Sequence, residues 1–168
     1  MVIDQLDVIA PGAFVAAVAP LFEGARGFLG RLAVARPFGS VEMLFRTARE
    51  IAHAMPVDEQ LELIDAHPRL GAPPEDVSRL SFEEQGYGAD GAERSLEADR
   101  VGAELERLNT AYEARFGFRY CVFVAGRSRT ELVPGMAAAL DGDRDAEIHR
   151  ALDAIVDIAI DRYATLEP

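Results

Sequence analysis

The apolar residues of this chain recur at the spacing of an α-helix along nearly its whole length, and this pattern constrains the fold most. The clearest stripe lies in SVEMLFRTAREIAHAM, where Ser40 is a good N-cap residue and the helix should end before Pro56. The apolar positions of this stretch are Val41, Leu44, Phe45, Ala48, Ile51 and Ala52. Apolar residues three and four positions apart share one helix face, so the chain is predicted to be all-α.

Four further helices follow from the same periodicity. A short amphipathic helix over residues 58–66 ends just before His67, with Leu61 and Ile64 directed inward. The longest helix covers AERSLEADRVGAELERLNTAYEARF, and its apolar face is formed by Leu96, Val101, Leu105, Leu108, Tyr112 and Phe116. Two helices near 128–140 and 146–166 close the chain.

One stretch, FRYCVFVAG, departs from this pattern. Its β-branched and aromatic residues are typical of a strand, but no other segment offers a strand to pair with it. We therefore expect a buried extended segment near residues 118–125, threaded between helices. Its backbone groups must then find partners in water, side chains or a ligand. The whole chain, residues 1–168, is predicted to be one domain, a single compact multi-helix bundle with this one extended segment.

Charge and composition exclude several classes of function. The formal net charge of −12 argues against nucleic acid and anionic membranes as partners, because the field of the protein repels both. No apolar run is long enough to span a membrane and no basic leader is present, so we expect a cytoplasmic protein. Every basic residue besides histidine is arginine, which excludes a Schiff-base lysine and a P-loop lysine.

His67 is one of three histidines, and it directly precedes a proline in DAHPRLG. A residue before proline is pushed out of the α region, so His67 should stand where a helix has just ended. The helix C-terminus should raise its proton affinity, and an ordinary imidazole pKa near 6.5 would suit acid–base chemistry. The alternative is a helix-end histidine with a satisfied hydrogen bond and no further role.

The other candidates for metal or thiol chemistry are weaker. His53 and His149 together with His67 show none of the usual zinc-ligand spacings, although nearby carboxylates leave a metal-dependent hydrolase as one hypothesis. Cys121 lies in the apolar stretch and is interpreted as an inert core thiol.

The stretch SFEEQ permits two interpretations. Ser81 followed three residues later by Glu84 fits a capping box at a helix start. Alternatively, the amides of this helix N-terminus bind an anionic or carbonyl group of a ligand, and Glu84 faces that ligand.

These residues resemble a known family. AHPRLG, SFEEQ, LNTAYEARFGFRYCVFVAGRS and the terminal ALDAIVDIAIDRYATL occur in the order found in the 2-oxo-4-hydroxy-4-carboxy-5-ureidoimidazoline (OHCU) decarboxylase family of urate degradation. The resemblance runs from about Ala13 to Leu166 and includes ARPFGSVEML. It implies an all-α, cofactor-free carboxy-lyase that binds no metal and converts OHCU to (S)-allantoin and CO2.

The resemblance also implies site residues and an assembly. His67 matches the catalytic histidine of the family, and Glu84 matches a second catalytic residue. Substrate-binding positions would be Pro68, Ser81, Gln85, Tyr120, Cys121, Val122, Phe123, Val124 and Arg162. Family members are usually homodimers, so a homodimer is implied here. A catalytically silent helical homologue that serves as an interaction domain is the other hypothesis of note.

Overall fold

The computed structural model describes residues 2–72, 78–85 and 96–166, and the chain divides into two compact units. The terminal unit contains residues 1–67 and 148–168, and the central unit contains residues 68–147. Within the described ranges every regular element is a helix, which confirms the predicted all-α class. The single domain over residues 1–168 stays a prediction.

The described residues form nine α-helices and one 3₁₀ turn. In chain order they are α1 (Ile3–Val8), α2 (Pro11–Val18), the 3₁₀ turn (Ala19–Phe22), α3 (Arg26–Val34), α4 (Val41–Ala54), α5 (Val57–Asp65), α6 (Arg79–Glu84), α7 (Leu96–Phe116), α8 (Arg129–Ala139) and α9 (Arg144–Leu166).

The terminal unit is organised around α3, which packs against α2, α4 and α5. The predicted stripe of α4 is confirmed at Leu44, Phe45, Ala48 and Ala52, which are buried, whereas Val41 and Ile51 are half-buried. Ser40 caps this helix as predicted, its hydroxyl accepting a hydrogen bond from the Met43 N–H at 3.1 Å. The helix ends at Ala54, before Pro56, also as predicted.

In the central unit α7 packs against α8. The predicted face of α7 is confirmed at Leu105, Leu108, Tyr112 and Phe116, which are all buried. Leu96 differs: it is 80% exposed, because burial needs a packing partner that periodicity alone does not reveal. None of the helices in the described ranges has both the length and the apolar character needed to cross a membrane.

Candidate active site

His67 stands where the sequence predicts, just after the end of α5. That helix ends at Asp65, and the His67 N–H closes a turn on the carbonyl oxygen of Ile64 at 3.1 Å. Pro68 follows and cannot continue the helix, since it has no N–H to donate. The side chain of His67 is only 3% exposed. The local sequence therefore delivers an imidazole from a helix end into a buried environment.

The hydrogen bond of the imidazole fixes its tautomer. Nδ1 of His67 lies 3.1 Å from the carbonyl oxygen of Leu63. A carbonyl oxygen only accepts, so in the neutral ring the hydrogen resides on Nδ1 and Nε2 carries the lone pair. The neutral side chain is therefore arranged to accept a proton at Nε2.

Burial and a nearby cation make the neutral form dominant. Desolvation first and the positive charge of Arg162 second lower the pKa of His67 to about 4, although the Leu63 hydrogen bond and the charge of Glu23 act in the opposite direction. The expectation of a pKa near 6.5, raised by the helix C-terminus, is wrong. The helix dipole is worth less here than the removal of water from around the ring.

Arg162 belongs to the same unit and is 1% exposed. Its Nη1 donates to the carbonyl oxygen of Pro20 at 2.8 Å, and its Nη2 donates to Oε1 of Glu23 at 2.8 Å. A buried guanidinium with a paired carboxylate avoids the cost of an isolated buried charge. Glu23 had no distinguishing signal in the sequence, because only folding brings the 3₁₀ turn to α9.

In the central unit, Gln85 holds the loop that follows Pro68. Its Oε1 accepts from the Gly71 N–H at 2.7 Å, and its Nε2 donates to the carbonyl oxygen of Arg69 at 3.3 Å. Asn109 on α7 donates from Nδ2 to the carbonyl oxygen of Leu70 at 3.0 Å. Two side-chain amides thus fix three consecutive loop residues. Asn109 stands in the LNTAY motif, but sequence reasoning gave it no role.

The same loop is tied to α7 by charge. Arg69 makes a two-bond pair with Glu113, from Nε to Oε1 at 2.7 Å and from Nη2 to Oε2 at 2.5 Å. Bidentate arginine–carboxylate pairs are among the stronger polar contacts. This pair and the two amides together leave the backbone after Pro68 little freedom.

The segment predicted to be extended is neither helix nor strand, and it is partly buried. Tyr120 and Cys121 are each 5% exposed, whereas residues 122–124 are half-buried. Arg127 occupies two of its carbonyls, donating from Nη2 to Phe123 at 2.5 Å and from Nε to Val124 at 3.0 Å. Burial is confirmed at Tyr120 and Cys121 but not for the residues that follow them, and the carbonyl oxygens of Phe123 and Val124 already have a partner.

The backbone N–H groups of residues 122–124 differ from these carbonyls in their hydrogen bonding. Within the described part of the chain, no hydrogen bond reaches the N–H groups of Val122, Phe123 or Val124. Half-buried amides need a partner, which water or a ligand can supply. Residues 122–124 therefore offer backbone hydrogen-bond donors to a ligand, whereas the sequence predicted that both N–H and carbonyl groups would be available.

Aromatic packing holds this segment against α7. The ring of Tyr112 meets that of Tyr120 edge-on at 5.2 Å and that of Phe118 edge-on at 5.6 Å. The Tyr112 hydroxyl donates to Oε2 of Glu147 at 2.7 Å, so its polar end is satisfied although buried. These contacts explain how an irregular segment keeps a defined position.

The helix start predicted at Ser81 is wrong. Helix α6 begins at Arg79, and the Ser81 N–H donates to Oγ of Ser78 at 3.2 Å, which makes Ser78 the capping side chain. Ser81 is a buried position inside the helix, and Glu84 is its last residue. Glu84 is therefore not in a capping box, nor at a helix N-terminus that could bind an anion. Its side chain lies outside the described residues.

The other two histidines contact each other in the terminal unit. The rings of His53 and His149 stack with centroids 4.9 Å apart, and their Nδ1 atoms are 2.7 Å from each other. Nε2 of His53 contacts Oδ1 of Asp153 at 2.9 Å, and that oxygen also pairs with Arg49. Among the described residues, no group of three or more His, Cys, Asp or Glu side chains is arranged to hold a metal ion.

The structure thus brings the predicted residues together in two sets. His67 and Arg162 interact electrostatically in the terminal unit. Pro68, Ser81, Gln85 and the segment 120–124 belong to the central unit, where Gln85 contacts the loop after Pro68. The role of each as a substrate or catalytic residue stays a prediction.

Comparison with known proteins gives a consistent family assignment. The family model of the OHCU decarboxylases matches residues 8–164. The chain is 33% identical over 146 residues to the uric acid degradation bifunctional protein PucL of Bacillus subtilis (strain 168), covering 87% of this chain and 28% of that protein. It is 27% identical over 164 residues to the 2-oxo-4-hydroxy-4-carboxy-5-ureidoimidazoline decarboxylase of Haloferax volcanii, covering 98% of this chain and 95% of that protein.

A second bifunctional protein and a solved structure are also similar to this chain. The chain is 28% identical to the uric acid degradation bifunctional protein of Bacillus sp. (strain TB-90) and covers 31% of it, so it spans less than a third of either bifunctional relative. A solved structure described as OHCU decarboxylase in the presence of (S)-allantoin superposes with a TM-score of 0.70 at 22% identity, covering 89% of this chain and 96% of that chain. That likeness shows a shared fold.

Proposed function

The chain belongs to the OHCU decarboxylase family, and we propose that it decarboxylates OHCU to (S)-allantoin and CO2 in urate degradation, without a cofactor. Beside the family, the observation that carries this proposal is the electrostatic interaction of two buried side chains. These are the neutral imidazole of His67, with its tautomer fixed, and the guanidinium of Arg162.

The substrate's own chemistry explains why no cofactor is needed. OHCU carries its carboxyl and hydroxyl groups on one ring carbon, which is next to a ring C=N bond. When the bond to the carboxyl carbon breaks, CO2 leaves and the electron pair moves into the ring as an enol, with one solvent proton taken up on nitrogen. The enol then loses its hydroxyl proton and gains a proton on the adjacent carbon, which gives the ketone form of the product.

His67 is proposed to move this last proton. Nε2 takes the hydroxyl proton, and the imidazolium returns a proton to carbon on one face, so the ring begins and ends neutral. A resting pKa of about 4 matches the first half of this cycle, because the ring is a proton acceptor at neutral pH. The negative charge of bound substrate would raise the pKa, opposing Arg162, and so prepare the ring to hold the proton briefly.

The remaining predicted residues supply binding. The N–H groups of Val122, Phe123 and Val124 are donors in a half-buried segment, so they suit carbonyl oxygens such as the one of the ureido group. We also retain Pro68, Ser81, Gln85, Tyr120 and Cys121 as substrate-binding residues, Arg162 as the cation for an anionic oxygen, and Glu84 as a second catalytic residue.

The homodimeric assembly is proposed from the family resemblance. We propose a cytoplasmic homodimer whose ligand is a small molecule. Sedimentation equilibrium of the purified protein measures the dimer directly, and a monomer at all concentrations would contradict it.

The activity is tested with freshly generated OHCU, following (S)-allantoin by circular dichroism. We expect turnover well above the uncatalysed rate, unchanged by exhaustive chelation. His67→Asn should lower kcat/KM by about a hundredfold or more, whereas the matched variant His149→Asn, at an exposed histidine, should not.

The outcomes separate the hypotheses. Turnover at the uncatalysed rate would favour a silent homologue with an interaction role. Activity lost on chelation and restored by one divalent ion would favour a metal-dependent enzyme. Full activity in folded His67→Asn would remove the histidine from the chemistry.

A further inference from the structure

Glu23 ends the 3₁₀ turn in a backbone conformation that few side chains adopt. Its φ of 49° and ψ of 27° lie in the left-handed region, and Gly24 follows with φ of 75°. A left-handed glutamate is uncommon and costs conformational energy relative to glycine. Such a residue persists where surrounding contacts compensate for it.

Two contacts that compensate for this conformation involve Arg162. The turn directs the Pro20 carbonyl oxygen to Nη1 at 2.8 Å, while the carboxylate of Glu23 accepts from Nη2 at 2.8 Å. The side chains of Arg162 and Glu23 are only 2% and 12% exposed. The Leu21 carbonyl oxygen also accepts from Nη1, at 3.5 Å, so the turn forms a socket of two carbonyls and one carboxylate that fixes the guanidinium in position.

The socket also sets the charge around His67. Two charged groups act on its ring in opposite directions, Arg162 on α9 and Glu23 at the end of the 3₁₀ turn. The Leu63 carbonyl of α5 supplies the polar contact. The positive charge of Arg162 at the imidazole is thus partly offset by the negative charge of Glu23.

We propose that Glu23 is a positioning residue of the decarboxylation site, which fixes the Arg162 guanidinium and balances its charge beside His67. This inference rests on the proposed function for its effect on turnover. Its effect on Arg162 itself is independent of the substrate.

The central variant is Glu23→Gln, which keeps an oxygen acceptor for Nη2 and removes the negative charge. We expect kcat/KM to fall about tenfold or more, chiefly through kcat, because the unbalanced cation makes the imidazole a poorer proton carrier. Glu23→Asp keeps the charge but withdraws it by one methylene, and it should restore part of the lost kcat.

A matched control removes another arginine–glutamate pair of the same unit. Arg31 and Glu59 pair at 2.6 Å on the surface, with side chains 46% and 26% exposed. Glu59→Gln should leave kcat and KM unchanged. A general dependence on ion pairs would instead lower turnover in both variants.

A second readout needs no substrate. Nitrogen-15 NMR at neutral pH should show the N–H groups of a fixed Arg162 guanidinium as separate, slowly exchanging signals. In Glu23→Gln these signals should broaden or merge, while those of the control variant stay as in the parent. This measurement tests whether Glu23 fixes the Arg162 guanidinium even if the parent protein does not decarboxylate OHCU.

The kinetic and NMR results together decide whether Glu23 is a positioning residue. Reduced kcat in Glu23→Gln, partial restoration in Glu23→Asp and loss of the fixed guanidinium signals support the proposal. Unimpaired kcat in an active enzyme, or unchanged guanidinium signals, would overturn it. If Glu23→Gln does not fold, the same two measurements on Glu23→Asp decide, because the shortened side chain also weakens the contact with Nη2.

Discussion

The imidazole of His67 donates from Nδ1 to the carbonyl oxygen of Leu63, 3.1 Å away and one helical turn earlier. This bond is local, since Leu63 lies in the last turn of α5 and His67 just after it, whereas the groups that surround the ring come from distant parts of the chain. Burial and Arg162 lower the pKa of this ring, so a helix-end histidine that looks ordinary in the sequence is neutral in the folded protein.

The lowered pKa makes stability depend on pH in a defined window. The ring titrates near 6.5 when unfolded and at about 4 when folded, so between these values the unfolded chain binds more protons. The free energy of unfolding should therefore fall as the pH drops through this window, by at most about 3 kcal/mol from His67. Urea unfolding at about pH 7 and about pH 5 should show a smaller loss in His67→Asn than in the parent. Equal losses would contradict the lowered pKa.

Because Glu84 does not cap a helix, a substitution there tests its catalytic role alone. It is the last residue of α6, where a negative charge opposes the helix dipole, so Glu84→Gln should not lower the melting temperature. If the carboxylate is catalytic, kcat/KM should fall by about tenfold or more, which corresponds to about 1.4 kcal/mol. Thermal unfolding and OHCU kinetics on the same sample provide both values. Unchanged kinetics in the folded variant would leave Glu84 without a catalytic role.

Gly71 should be difficult to replace. Its φ is +78°, and an added Cβ would lie 3.0 Å from Cδ1 of Leu105. We expect Gly71→Ala to cost about 1 kcal/mol or more, since strain and crowding add. The control is Gly102→Ala on α7, where an added Cβ meets nothing within 4 Å and helix propensity should contribute about 0.5–1 kcal/mol of stability. Urea unfolding compares the two, and a stable Gly71→Ala protein would refute the constraint.

Asn109 should matter for the loop after Pro68. It is 2% exposed and supplies the hydrogen bond to the Leu70 carbonyl, so Asn109→Ala leaves that carbonyl without this donor. We expect a loss of about 1–3 kcal/mol in the free energy of unfolding. The exposed neighbour Thr110→Ala is the matched control and should be close to neutral. A loss no greater than that of the control would show that other contacts hold the loop.

Local sequence determined much of this protein. Periodicity predicted α4, α5, α7 and α9, because a 3.6-residue repeat directs apolar side chains to one side wherever the chain is helical. The start of α4 was predicted correctly from Ser40, and the end of α5 from the pair His67–Pro68, since caps and prolines act on the backbone next to them. Motif order likewise predicted the family.

Other features were decided only by the tertiary structure. Helix α6 begins at Arg79 and not, as the sequence predicted, at Ser81. Ser78 and Ser81 can both cap a helix, and local rules do not choose between them. The pKa of His67 depends on desolvation and on Arg162, and Glu23 acquires its role through contact with α9. Charge and solvent act through space rather than along the chain, so the sequence determined which side chains are present, whereas the fold decided which of them act on one another.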